Sequence, residues 1–316
     1  MAEYLSQRMV LGSKKETTEG TANAPLAADC NLLVEDVRYE ADVDQFERNP
    51  ISSDLSPYPS VAGKRKAKLT FKVELKGAGA AGTAPAVGKL IKACGFSETI
   101  VASTSVTYLP LSVGVDCMTF DLYHIPATGS GPRLRMVGSR GTYRINAKAG
   151  EPVYLEFTFN GVYQAAADAA ALTPSGLETT MPQPFLSTAF TMQGSSAHKV
   201  SGFTIDMANA LNERTDITGS SGILSYLITD RKPTFTMDPE LETVATHDYY
   251  GKMLSNATGS MSVALTGSAG NIVTVTAPAA QYVKVVPGDR NGLKILNIDG
   301  KFNRNAGNDE LSIAFT

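Results

Sequence analysis

The feature that most constrains this chain is that it repeats itself. Residues 47–75 align with residues 213–241 at a shift of 166 without a gap. Of these 29 positions, 8 are identical: Glu47/Glu213, Arg48/Arg214, Ile51/Ile217, Arg65/Arg231, Lys66/Lys232, Thr70/Thr236, Glu74/Glu240 and Leu75/Leu241. The apolar pattern agrees as well, with Val37 matching Phe203, Tyr39 matching Ile205, Leu69 matching Phe235 and Phe71 matching Met237. Further anchors keep the same order: Gly88-Lys89-Leu90-Ile91 with Gly251-Lys252-Met253-Leu254, Gly138/Arg140 with Gly288/Arg290, and Asn146/Gly150 with Asn303/Gly307. A period this long makes each copy a folding unit of its own, and the fold must be one that can be built twice.

Within a copy the hydrophobic period is two. Val37, Tyr39, Ala41 and Val43 alternate with Arg38, Glu40, Asp42 and Asp44, and Leu69, Phe71, Val73 and Leu75 alternate with Lys68, Thr70, Lys72 and Glu74. Strict alternation marks half-buried strands with one polar face. A proline-broken loop, residues 49–63, joins the two into a long hairpin, with residues 215–229 as its counterpart. Pro85 opens a helix over residues 86–94, closed by Gly95, and a second short helix is expected over residues 247–256. Hairpin, helix and then several strands predict a mainly β, α+β unit. The expected organisation is an N-terminal arm (1–31), a first copy (32–164), an Ala/Thr/Pro-rich linker (165–185) and a second copy (186–316).

Composition narrows the function. Charged residues are 19% and the net charge is -3, which disfavours a strongly basic nucleic-acid binder. Trp is absent, which disfavours a β-rich adhesin or carbohydrate-binding module. Cys30, Cys94 and Cys117 fit neither a metal spacing nor a disulfide framework. No apolar run reaches the ~18 residues of a membrane span, and the N-terminus has no continuous apolar stretch, so neither membrane anchor nor signal peptide is expected.

Several motifs invite an enzymatic reading and fail on context. Gly77–Gly82, GAGAAG, spells a dinucleotide fingerprint between a strand and a helix. The strand before it alternates, however, whereas a dinucleotide-fold strand is buried on both faces, and the second copy lacks the glycines. Gly82 to Lys89 is one residue too long for a phosphate loop and is followed by Leu90. Ser196-Ala197-His198-Lys199 has no partner motif, and His124, His198 and His247 are scattered. No catalytic, cofactor or metal residues are assigned. A nucleotide-binding enzyme remains only an alternative resting on GAGAAG.

Lys15-Glu16-Thr17-Thr18-Glu19-Gly20-Thr21, Phe46-Glu47-Arg48, Phe71-Lys72-Val73-Glu74-Leu75, Leu90–Phe96, Tyr154–Phe157 and Gly288–Gly292, taken in this order, resemble the tail tube proteins of long-tailed phages. The resemblance implies two tandem tail-tube units, each a β-sandwich or split barrel with one flanking helix. It further implies stacked rings forming a hollow tube that conducts genomic DNA into the host. The partners it implies are the chain itself, a tape measure protein, tail terminator and baseplate or distal tail proteins, and double-stranded DNA in passage. The place implied is the virion tail, assembled in the host cytoplasm. Such rings carry six copies of the fold, so a duplicated chain predicts a ring of three. The lumen is expected to be lined by Glu40, Asp42, Asp44, Lys68, Lys72, Glu74, Asp206, Asp238 and Glu240. Ring stacking is expected from Asn49, Pro50, Asp54, Pro57, Tyr58 and Pro59 in the first loop, and from Asp216, Leu224 and Tyr226 in the second.

Overall fold

A computed structural model describes residues 3–186 and 188–316. It is mainly β, with two short helices. In the first half the strands are β1 (Tyr4–Lys15), β2 (Val34–Arg48), β3 (Tyr58–Glu74), β4 (Phe96–Val101), β5 (Ser105–Pro110), β6 (Met118–Pro126), β7 (Gly131–Lys148) and β8 (Tyr154–Ala169), with helix α1 (Gly88–Ala93) after β3. In the second half they are β9 (Ala189–Met192), β10 (Gly202–Asp206), β11 (Asn209–Thr215), β12 (Ile223–Arg231), β13 (Thr234–Met237), β14 (Thr258–Leu265), β15 (Val273–Arg290), β16 (Leu293–Phe302) and β17 (Ser312–Phe315), with helix α2 (Tyr249–Leu254) after β13.

The same pairing order occurs twice. In the first half β1 pairs β6, β6 pairs β7, β7 pairs β8, β8 pairs β3 and β3 pairs β2. In the second half β9 pairs β14, β14 pairs β15, β15 pairs β16, β16 pairs β13 and β13 pairs β10. Register matches residue for residue at the hairpin: Tyr39 faces Leu69 and Leu69 faces Phe159, while Ile205 faces Phe235 and Phe235 faces Gly300. The side chains that alternate inward are buried or half-buried: Leu69, Phe71, Phe203, Ile205, Phe235 and Met237 fully, Val37 and Tyr39 in part. Phe120 of β6 packs on Phe159 at 4.7 Å, and Phe235 stacks on Phe302 at 5.0 Å. One hydrophobic cluster runs through both halves.

Four expectations are corrected by this topology. Residues 4–15 are no arm; they form β1, whose Leu11 and Ser13 are buried against β6, and β9 takes the matching place in the second half. The polar, irregular composition of β1 hides it, because only its last turn of alternation reaches the core. The linker begins after Ala169, since residues 165–169 continue β8 and pair with β7 as far as Gly131. The first loop spans residues 49–57 only, because Tyr58 and Pro59 already belong to β3. Finally, Asn303 and Gly307 do not correspond to Asn146 and Gly150: the latter precede β8, whereas Asn303 and Gly307 follow β16, the strand in the place of β8.

The second hairpin also bends where the first runs straight. Ala208 takes a positive φ of 46°, and Pro233 interrupts the facing strand. The distal part, β11–β12, therefore leaves the main sheet as a two-stranded ribbon. Pro cannot donate a ladder hydrogen bond, so a break there is expected. Asp248 caps α2, its carboxylate accepting from the Gly251 amide at 2.7 Å.

Candidate assembly surfaces

Sending the apolar residues inward leaves one polar sheet face that crosses from the first half into the second. Arg38, Glu40 and Asp42 lie on it from β2, Lys68, Thr70 and Lys72 from β3, Thr142 and Arg144 from β7, Thr204 and Asp206 from β10, and Thr234 and Thr236 from β13. Several of its charges sit opposite or bridge a charge of the other sign. Glu40 faces Lys68 across the strands, Lys72 bridges Asp36 at 2.9 Å and Glu156 at 3.6 Å, and Arg144 bridges Asp206 at 2.7 Å.

The remaining residues expected to line a lumen have local partners. Asp44 holds Lys66 at 2.8 Å, and Glu74 holds Lys76 at 2.9 Å. Asp238 accepts from the Ser201 and Gly202 amides and from Arg290. Burial pushes the Asp238 carboxyl up, and these donors more than reverse it, holding it below the usual range. Glu240 lies 3.4 Å from Arg290 and 3.8 Å from Lys199.

The two halves meet edge to edge. Strand β10 adds to β7, with Gly202 facing Lys148, Ile205 facing Ile145 and Asp206 facing Arg144. Above this joint, β12 lies on the first half's own β7 and β8, where Ile223 and Tyr226 are buried against Val137 and Val162. Tyr226 is thus packed inside the chain and Leu224 beside it contacts Gly20 and Gly138, so neither belongs to an unattached stacking loop. Asp216 is half-buried, its carboxylate accepting from Thr218.

Buried charge fixes that arrangement. Arg140 donates to Glu19 at 2.6 Å and to the Val115 and Tyr226 carbonyls, and Ser225 donates to Glu19 at 2.7 Å. Glu16, also buried, accepts from the Gly138 and Gly20 amides and from Thr119. Next to it Glu213 of β11 takes Lys64 at 2.9 Å and Lys66 at 3.2 Å. Burial pushes the Glu213 carboxyl up, and the two ammonium groups more than reverse it, while Asp44 and Glu213 together hold Lys66 charged. Among these residues Lys66, Glu213, Gly138 and Arg140 stood out by repetition, and Glu16 and Glu19 stood out only through the resemblance of their segment.

The equivalent surfaces at the chain's two ends are open. Among the described residues β2 pairs only with β3, which leaves its outer flank open. β15 pairs with β14 only as far as Gln281, so from Tyr282 to Arg290 one flank is open. The tip of the first hairpin is exposed on both faces, Phe46 by 59%, Ile51 by 105% and Leu55 by 104%; Asn49, Pro50, Asp54 and Pro57 are exposed with them.

The glycine-rich loop has a packing role. The Gly77 amide donates to Asn271 Oδ1 at 2.8 Å, and the Gly79 amide donates to the Gly270 carbonyl at 3.0 Å. A Cβ on Gly77 would lie 2.1 Å from the Gly270 carbonyl oxygen, so the glycines let two loops touch. Among the described residues no group of three or more His, Cys, Asp or Glu side chains is placed to hold a metal ion, and no helix is long and apolar enough to cross a membrane.

A search of curated proteins found no match. The family model of phage tail tube proteins matches residues 6–313, from β1 to β17 and across both halves. The chain belongs to the phage tail tube protein family.

Proposed function

We propose that three copies of this chain close a ring and that rings stack into the tail tube, a conduit for double-stranded DNA. The observation that carries this reading is the β7–β10 joint. It is an edge-to-edge bond between two units of like topology, and it leaves the matching edges, β2 and the end of β15, without partners. If β2 of the next chain adds to β15 as β10 adds to β7, the pattern propagates and closes, which removes the unpaired edges that otherwise invite aggregation. In this reading residues 4–169 and 189–316 are the two copies, and each chain supplies two of six units around the lumen.

The polar face then lines the channel, with Glu40, Asp42, Lys68, Lys72 and Asp206 on it. Asp44, Glu74, Asp238 and Glu240 serve the framework instead. A wall whose lysines are each matched by a carboxylate offers phosphates no uncompensated positive run, so DNA is not retained. A tape measure protein would fill the lumen before ejection. Tail terminator and baseplate or distal tail proteins would close the ends of a tail assembled in the host cytoplasm.

The test is a tube carrying Glu40→Lys with Asp42→Lys, which removes the carboxylate facing Lys68 and adds positive charge along the wall. The expected result is intact tubes, seen by negative-stain microscopy, with slowed DNA ejection that recovers at high salt. Ejection at the normal rate would exclude this face as the channel wall.

A further inference from the structure

Lys66 and Glu213 form an ion pair that joins the first half to the second, and both are among the positions the repeat preserves: Lys232 stands where Lys66 does, and Glu47 where Glu213 does. We infer that Glu47 of one chain pairs with Lys232 of its neighbour, seating the distal β2–β3 hairpin on the adjacent copy. This rests on the ring reading. A bond from first copy to second within the chain becomes, one step further round, a bond from second copy to the next chain's first.

The residues are available for it. Among the described residues Glu47 makes no ion pair; it is exposed, and the Lys232 side chain is 80% exposed, ion-paired with Asp230 at 2.6 Å. The gapless register carries the correspondence on both strands, because Tyr39 and Ile205 occupy the same rung and lie eight residues before Glu47 and Glu213. One difference is built in: Asp230 stands where Lys64 does, so Lys232 would be shared between Asp230 and the incoming Glu47.

Apolar contacts point the same way. Within the chain, Ile223 and Tyr226 of the second hairpin cover Val137 and Val162. The first hairpin offers Phe46 and Val61, exposed by 59% and 52%. Phe46 lies flat over Gly63, where a Cβ would be 2.4 Å from its ring. Beside Lys232, Pro233 and Val283 line a groove of about 690 Å3. Phe235 turns into the core, so Thr234 lies at the end of the polar face, the part that β12 covers in the first half, and Val283 lines the groove beside it. The occupant this groove fits is the hairpin of a second copy of the chain.

The experiment is a charge swap read by assembly. Glu47→Lys and Lys232→Glu should each raise the protein concentration needed for tube formation by about tenfold or more, with the monomer's circular dichroism unchanged. Both changes in one chain should restore assembly. A second arm places Glu47→Cys and Lys232→Cys in one chain and treats assembled tubes with a short bismaleimide; Cys30, Cys94 and Cys117 are buried. Covalent products should stop at three chains. Single variants that assemble like the parent, a double variant no better than the singles, or no cross-link would overturn the contact. Three-chain rings indifferent to both changes would leave the ring reading standing without it. Cross-linked products running to six chains would keep the contact and overturn the ring of three.

Discussion

At the scale of the residue, two histidines that are far apart in the sequence meet in the second half. His198 and His247 lie with ring centroids 4.7 Å apart, both buried, among Tyr249 and Tyr282. His198 Nε2 donates to the Met192 carbonyl at 3.1 Å, so its Nδ1 accepts from the Tyr249 hydroxyl at 2.6 Å. Burial holds both rings neutral. His247 is pushed down to about 4, with Lys252 and His198 adding to the effect of burial, and His198 is lowered for the same first reason. In the unfolded chain a histidine takes up its proton near pH ~6.5. Stability that depends on the neutral rings is therefore complete above that pH and is lost as pH falls towards 4. The carboxylates with lowered values, Glu19, Glu213 and Asp238 among them, act at lower pH, while Glu178, raised by burial, partly offsets the histidine loss as pH falls. The melting temperature should drop between pH 7 and pH 5, and His247→Gln should make that drop smaller; a flat profile in the parent protein would contradict this assignment.

At the scale of the element, the tip of the first hairpin stands exposed, outside the core of its own chain. A two-stranded ribbon standing away from a core is marginal without a partner, and Ile51 and Leu55 are fully exposed there. Replacing residues 49–57 by Asn-Gly, a favoured two-residue turn, should leave the monomer's melting temperature unchanged and abolish tubes. Normal tubes from that variant would exclude the tip from ring stacking. Much of this was legible in the sequence because period-two alternation survives wherever one face is buried and the other wet, as in Val37 to Asp44, Leu69 to Leu75 and Phe203 to Asp206. β1 was not legible, since its partner β6 is read from topology and few of its residues reach the core. Nor was the docking of β11–β12: Ile223 and Tyr226 look like loop residues until Ala208 and Pro233 fold them back over Val137 and Val162. The junction charges Arg140, Glu16 and Glu19 come from distant segments, and no local pattern announces that they meet.

At the scale of the whole molecule, the ring reading makes duplication the step that turns an assembly contact into an internal one. The β7–β10 joint, the seat of β12 and the Lys66–Glu213 pair all lie between the two halves, and the open counterparts β2, the end of β15, Glu47 and Lys232 lie at the chain's two outer surfaces. Fusing two units also lowers the number of chains that must meet to close a ring, and with it the translational entropy lost on assembly. The central claim is therefore a number. Reconstruction of assembled tubes by electron cryomicroscopy should show three chains per ring and six similar β units around the lumen, with residues 4–169 and 189–316 both on the inner wall. Six chains per ring, with residues 189–316 outside the tube, would contradict it.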